Sequence, residues 1–583
     1  MNSLHIRVTR VAVLAIAVLA LLSLGVLASP PWPGRLNQTP GGKLDMHKAA
    51  AIQQLMRQKG ICSSESFFGK GKTAGSKAAG ESPGYTGTFK ALAILVQFSD
   101  HASSVSAQFF DSLVFGTQGT TVHNFYDEIS FGQLDMVTVN MPSSMGWKMA
   151  PETYAYYVNG QGGLGSYPQN SQKLVEDLVD IVNPVVDFSQ YDNDHDGFVD
   201  CLLVIHAGSG AEFTYDNNDF HSHKWGIVPR LKDGVYVSSY TIQPEFWQTP
   251  GDMTIGVYAH ELGHGFGLPD LYDTDYSSRG VGKWCLMSYG SWNGPNGKGG
   301  SPSHPCAWCL SQMGFATPTN ITANTNGQII PPVEATGQIY RLWNSGNQGN
   351  EYFLVENRQK MLSDTYLPGE GLLIWHIDES KSGNTQEWYP TKYNLQNNEH
   401  YLVALEQADG LYQLEDTSQP SSNYGDAGDP YPGNTNKTTF DAVTNPSSDS
   451  YTDGTSFVSV NNVSVNGDTI QADLLVGFSA GVGDENTPSL PYGIELAQNY
   501  PNPFNPSTII SLSAEAPAKI KLDVFNTLGQ HVKTLFDGVV GSGVSEFEWD
   551  GRNEAGHQVA SGVYFYRLSQ EGHVQTRRMV MLK

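Results

Sequence analysis

Val257-Tyr-Ala-His260-Glu261-Leu-Gly-His264-Gly-Phe-Gly267-Leu-Pro-Asp270 is the stretch on which the reading of this chain turns. Its pattern is H-E-x-x-H-x-x-G-x-x-D. On a helix, residues four apart share a face, so His260 and His264 point the same way. Two imidazoles at that spacing can hold Zn²⁺, and Glu261 beside them suits a base acting on water rather than a ligand. Gly267 can take the left-handed backbone that turns the chain back. Asp270 then supplies a third protein ligand and leaves one position open, the layout of a catalytic zinc site.

Working downstream, Trp284-Cys-Leu-Met287-Ser-Tyr289-Gly290 follows at short range. In zinc peptidases of the metzincin type, a Met-containing turn after the histidine helix forms a floor under the metal. Asp252, just upstream, is placed as the N-cap of the helix. Pro305–Met313 is expected to be a helix closing the domain.

Upstream lies Asp192-Asn-Asp194-His-Asp196-Gly197-Phe-Val-Asp200, resembling the first half of an EF-hand loop. Carboxylates at alternate positions suit one hard cation, and Gly197 suits the sharp turn. Position twelve is Leu203 rather than the bidentate Glu, so Asp200 is the expected replacement oxygen donor. The competing reading is an acidic turn without metal. His206, His221 and His223 are read as structural or cleft residues, and His376 and Asp378 as ordinary sheet residues.

The 583 residues exceed one ordinary domain. With 33 Lys+Arg against 58 Asp+Glu, the net charge of −25 argues against nucleic acid or an anionic membrane as partner. Residues 1–28, with Arg7 and Arg10 before the apolar run Val11–Ala28, read as an export signal, the competing reading being a membrane anchor that stays; once the signal is removed, no integral span is expected. Residues 29–87, with a short helical stretch Lys48–Lys59 and the Gly/Ser/Lys-rich tract Gly69–Gly84, read as a propeptide. Cys62 in that segment is either a lone loop thiol or a latch on the zinc. Cys306-Ala-Trp-Cys309 has CxxC spacing without a second pair, which favours a local disulfide or two buried thiols over a structural zinc site.

The apolar run Lys90–Phe98 opens the catalytic domain, followed by helical patterns at Phe109–Phe115, His123–Ile129 and Ser171–Val185. From about 320 to 478 short alternating strands read as a β-sandwich-like unit. Residues 479–491 read as a linker and 492–583 as all-β. The fold class is therefore multidomain α+β: a metzincin-like zinc peptidase domain at 88–319, a β-sandwich-like domain at 320–478, and a C-terminal Ig-like module.

Residues from about 90 to 478 resemble the immune inhibitor A family of secreted bacterial metallopeptidases. The match is carried by Ala91–Phe98, Asp192–Asp200, His206-Ala-Gly208, Ser222-His-Lys-Trp225, His260–Asp273, Leu286–Gly290, Tyr352–Gln359, Leu367-Pro-Gly-Glu-Gly371 and His376-Ile-Asp378. The resemblance implies a zinc endopeptidase acting on proteins or peptides, with His260, His264 and Asp270 as ligands, Glu261 as acid/base and a bound Ca²⁺. Asp270 replaces the third His of the wider metzincin pattern. Tyr289 resembles the tyrosine with which some metzincins support the oxyanion.

Gln498-Asn-Tyr-Pro-Asn-Pro-Phe-Asn-Pro506 and Ser561-Gly-Val-Tyr-Phe-Tyr566 resemble the sorting domain of type IX secretion substrates. That implies a Gram-negative cell, contact with the type IX machinery, and release or attachment at the outer-membrane surface. The rival readings are a catalytically silent adhesin or scaffold, and an enzyme that processes only its own propeptide.

Overall fold

The computed structural model describes Pro30 and residues 85–582, apart from 275, 345–347, 386–399, 416, 418–422, 452–455, 477–493, 498, 503, 515, 527–529 and 571–572. The expected signal, nearly all of the expected propeptide with Cys62, and the expected linker lie outside the described residues. The chain divides into two compact units, Met1–Ser479 and Ala480–Lys583.

The first unit opens on a five-stranded sheet. Its order is Lys148–Met149, Leu92–Gln97, Leu202–His206, Val235–Pro244 and His223–Lys232. The first four are parallel; the last runs antiparallel to its neighbour. Central parallel strands are covered on both faces, and Leu92-Ala-Ile-Leu-Val96 is accordingly apolar throughout. Side chains alternate between the faces. Leu92, Ile94, Val96, Leu202 and Val204 meet the helix Ser171–Val182 in one core. Ala93, Leu95, Leu203 and Ile205 face the other core, which holds the helix Gly256–Gly265. The apolar run expected from Lys90 breaks at Ala91. Gly87–Lys90 pairs instead with Leu134–Val137, and Leu92–Gln97 enters the larger sheet. The expected helices occur as Ala107–Phe115, Val122–Ile129 and Ser171–Val182, the last stopping before Pro184.

A second five-stranded sheet is ordered Val403–Leu405, Gly371–Asp378, Glu351–Arg358, Tyr340–Trp343 and Thr319–Ile321. Its two faces do different things. Leu354, Leu373, Trp375 and Ile377 join the same core as Gly256–Gly265, so packing runs without a break past residue 319. Phe353, Val355, Leu372 and Ile374 pack against a three-stranded sheet of Val458–Asn466, Thr469–Val476 and Thr325–Ile330.

His376 and Asp378 are not ordinary sheet residues. His376 is buried, with Nδ1 donating to Glu406 Oε1 (3.0 Å) and Nε2 donating to Glu351 Oε1 (2.9 Å). Both partners only accept, so the ring is the imidazolium. Asp378 accepts from His400 Nε2 at 2.6 Å, which helps hold its carboxyl down at about 2 against the opposing effect of burial.

The second unit has sheets of three strands (Ile494–Leu496, Thr508–Ala514, Gly543–Trp549) and four (His531–Val540, Ala518–Asn526, Gly562–Gln570, His573–Met581). Their inner faces share one core that includes Trp549, Tyr566 and Met579. The two stretches singled out in the sequence meet here. Tyr566 Oη donates to Ala497 O and accepts from the Asn499 amide, both at 2.8 Å.

Candidate metal centre

The helix Gly256–Gly265 is buried along its whole length. Polar groups tie it down: Tyr258 Oη donates to Pro244 O at 2.9 Å, and Tyr126 Oη to Ala259 O at 2.7 Å. Asp252 does not cap it. The N-cap is Ile255, without a side-chain cap, while Asp252 accepts from the amides of Trp247, Gln248 and Thr249 and pairs with Lys298. The Gly256 amide is satisfied by Gly299 O instead.

His260 and His264 each spend one ring nitrogen on a carbonyl. His260 Nδ1 donates to Leu286 O and His264 Nδ1 to Leu268 O, both at 2.9 Å. A carbonyl only accepts, so the neutral tautomers carry their lone pairs on Nε2. Gly267 sits at φ +87° and reverses the chain, as its place in the motif predicts. Asp270 Oδ1 thereby comes to 2.9 Å from His260 Nε2 and 3.4 Å from His264 Nε2. None of these three atoms has a hydrogen-bond partner, and all three residues are at most 1% exposed. Two lone pairs and a carboxylate oxygen meeting in a dry pocket repel one another unless a cation sits among them. The donor set fits Zn²⁺. Burial opposes charge on His260, but the Asp270 and Glu261 carboxylates outweigh it and raise the imidazole. Burial likewise opposes ionisation of Asp270, while the two imidazoles hold it below the usual carboxylate range.

The floor is equally specific. A Cβ on Gly263, between the two histidines, would lie 2.4 Å from Met287 Sδ, so the thioether packs directly against bare helix backbone. Leu286, next in the chain, provides the carbonyl for His260, and Met287 O accepts the Leu271 amide at 2.7 Å beside Asp270. Glu261 is fully buried. Tyr289 is buried and its hydroxyl has no hydrogen-bond partner; its ring packs against Tyr272, which lies 6.5 Å from the His260 ring. Trp292 Nε1 donates to Pro30 O at 2.8 Å.

The acidic loop gathers three of its four candidate ligands. Carboxylate oxygens of Asp192, Asp194 and Asp200 lie within 4.8 Å of one another. Asp196 is not in that group: its Oδ1 accepts the Phe198 amide, and its own amide donates to Asp192 and Asp194. Gly197 takes φ +90° and donates to Asp192. Asp200 Oδ1 is buried without a hydrogen-bond partner, and burial together with Asp194 and Asp192 pushes its carboxyl up to about 8. Asn193 exchanges hydrogen bonds with the Lys90 backbone, which pins the loop to the strand Gly87–Lys90.

His206 and His223 are buried and held neutral; burial lowers each to about 3. The CxxC pair forms no disulfide: the four described cysteines are buried free thiols. Cys285 lies with Cys306 and Cys309, and Asp409, Asp426 and Asp429 form a further acidic cluster. Cys285 comes from a segment distant in sequence from the CxxC pair, where spacing carries no signal.

Residues 78–314 match the family model described as the immune inhibitor A peptidase M6 catalytic domain, and residues 502–573 match the FlgD Ig-like domain. The chain is 28% identical over 263 residues to immune inhibitor A of Bacillus thuringiensis subsp. alesti, covering 35% of this chain and 36% of that protein. It is 29% identical over 274 residues to the pre-pro-metalloprotease PrtV of Vibrio cholerae, covering 38% and 29% respectively. The matches thus span only about a third of the length of these relatives. Among solved structures, dimeric latent PorU from Porphyromonas gingivalis aligns over 20% of this chain and 11% of that one, at 15% identity and a TM-score of 0.15.

Proposed function

We propose that the chain is a zinc-dependent endopeptidase that cuts internal peptide bonds of extracellular proteins. The observation that carries this reading is the convergence of His260 Nε2, His264 Nε2 and Asp270 Oδ1, buried and without hydrogen-bond partners, beside a buried Glu261. The peptidase M6 match over the same residues supports it. When bound, the cation acidifies water and polarises the scissile carbonyl. The chain's own residues do the rest. Glu261 accepts the proton of the attacking water and passes it to the leaving amine. Leu286 O and Leu268 O fix the tautomers and ring planes of the histidines. The Tyr289 hydroxyl supports the developing oxyanion.

In the same reading, Asp192, Asp194 and Asp200 hold Ca²⁺, with Asp196 shaping the loop. Residues 1–28 direct export, residues 29–87 act as a propeptide, and the C-terminal unit serves type IX sorting to the surface of a Gram-negative cell. Among the described residues, no helix is long and apolar enough to cross a membrane.

Glu261→Gln tests the catalytic assignment. The variant is expected to retain zinc by metal analysis and to lose chelator-sensitive digestion of casein supplied in trans. Undiminished digestion would end the assignment; a wild type inert on every protein substrate would instead favour a silent scaffold.

A further inference from the structure

Three of the buried free thiols meet. Cys285 comes from the turn that carries Met287, Cys306 is the N-cap of the helix Ala307–Met313, and Cys309 lies in that helix. Their sulfurs lie within 4.8 Å of one another, and Cys285 Sγ is 3.9 Å from Cys309 Sγ. A disulfide needs about 2.05 Å. Two thiolates on one tetrahedral zinc, each bonded at about 2.3 Å, stand about 3.8 Å apart. The Cys285–Cys309 spacing is too long for a disulfide and close enough for the two sulfurs to share a cation.

The surroundings favour a thiolate. The Cys306 amide donates to Cys285 Sγ at 3.2 Å, and the Met287 amide also bonds that sulfur. Arg358, fully buried, donates to Trp284 O (3.1 Å) and His304 O (3.4 Å). Arg358, whose charge is met by Asp364, Glu356 and Glu334, thereby ties together the two chain segments that supply the sulfurs.

We propose that Cys285, Cys306 and Cys309 form a second, structural metal site for a thiolate-preferring cation, with Zn²⁺ as its ordinary occupant. Loading displaces the thiol protons, leaving three Cys–S⁻ ligands on one cation, with one corner of the tetrahedron left for a further donor. The site staples the Met287 turn to the helix Ala307–Met313. Because Leu286 O holds His260 Nδ1, the staple also positions a ligand of the other centre.

The two centres differ in chemistry, and the test uses that difference. Cobalt is exchanged into the full purified chain and the near-ultraviolet spectrum recorded. Only a sulfur-bound cobalt gives thiolate-to-metal charge-transfer absorption; a His/His/Asp centre gives none. The expected result is a thiolate band, one equivalent of metal released by a mercurial thiol reagent, and loss of both in Cys285→Ser and in Cys309→Ser. If those variants do not fold, a Cys62→Ser chain decides the matter: its spectrum and mercurial release can come only from the other thiols, and their absence overturns the proposal. No thiolate band together with no metal release by the mercurial would overturn the proposal. So would a disulfide mapped by peptide mass analysis between any two of Cys285, Cys306 and Cys309.

Discussion

Replacing Gly263 by Ala tests how the site is built. The added Cβ would meet Met287 Sδ at 2.4 Å, Cε at 3.2 Å and Leu268 Cδ1 at 3.7 Å. Ordinary contact begins near 3.5 Å, so the sulfur must retreat by about 1 Å. Met287 is fully buried, and overpacking of this kind costs about 1–3 kcal/mol. Ala in place of a helical Gly returns about 1 kcal/mol. The net expectation is a loss of about 0–2 kcal/mol. In a Met287→Ala background the clash is gone, and Gly263→Ala should change sign, stabilising by about 1 kcal/mol. The coupling between the two sites is then about 1–3 kcal/mol. A functional consequence follows from the same geometry. Leu286 O holds His260 and Met287 O holds the Leu271 amide next to Asp270, so a displaced turn disturbs two of the three ligands. Loss of such supporting contacts typically costs about 10–100-fold in metal affinity. Urea unfolding of the zinc-free first unit, followed separately from the second, gives the energies; competition with a chromogenic chelator gives the affinity. If Gly263→Ala stabilises equally in both backgrounds and leaves zinc affinity unchanged, the packing argument is wrong.

Asp364→Ala should cost about 3–5 kcal/mol in urea unfolding, because the carboxylate accepts from Arg358 Nε (2.8 Å) and Nη2 (2.6 Å) where both residues are fully buried. His376 has its pKa raised: burial opposes the charge, but Glu351 and Glu406 outweigh it. Its stabilisation is therefore complete below the unfolded histidine value of about 6.5 and is lost as pH rises through the raised folded value. His376→Gln should flatten that alkaline decline in the unfolding midpoint; an unchanged slope would assign the decline elsewhere. Millimolar Ca²⁺ should raise the unfolding free energy of wild type by about 2.7 kcal/mol at a hundredfold excess over Kd, and should do nothing for Asp200→Asn. Equal calcium responses in the two proteins would remove Asp200 from the ligand set.

How much of this was legible in the sequence depends on the range of each signal. The histidine helix, the Gly267 reversal and the acidic loop are written in residue types at short spacing, and the structure brings His260, His264 and Asp270 together as that spacing implies. The carbonyls of Leu286 and Leu268 are invisible, because every residue but its position offers the same oxygen. Asp252 has the composition of an N-cap, yet its carboxylate is taken by three nearby amides, a competition decided by loop geometry. His376 lies in a strand as its sequence implies, but its ion pairs are not legible there because the partners lie on other segments, Glu351 on the neighbouring strand and Glu406 beyond the next. Cys285 is not legible as a neighbour of the CxxC pair because 20 intervening positions separate it from Cys306, and only the folded turn closes that distance.

These long-range contacts converge on one place. The segment Trp284–Met287 carries no zinc ligand of the first centre, yet it is held from four sides. Trp284 O accepts from Arg358, and Trp284 Nε1 donates to Asp429 at 2.8 Å. Cys285 meets the sulfurs of the following helix, Leu286 holds His260, and Met287 abuts Gly263. Arg358 in turn is anchored by Asp364 and Glu356 on the second sheet side of the core. A buried charge network of this kind is weak evidence for added stability, since apolar replacements often do as well. It does fix one arrangement of the turn, and a cation site needs that more than it needs kilocalories: His260 must present Nε2 to within a few tenths of an ångström. The second sheet is thus part of the foundation of the candidate metal centre, and truncation at residue 319 would remove Arg358, Glu356, Asp364 and Asp429 together. A fragment ending there should lose zinc affinity even though it retains His260, Glu261, His264 and Asp270.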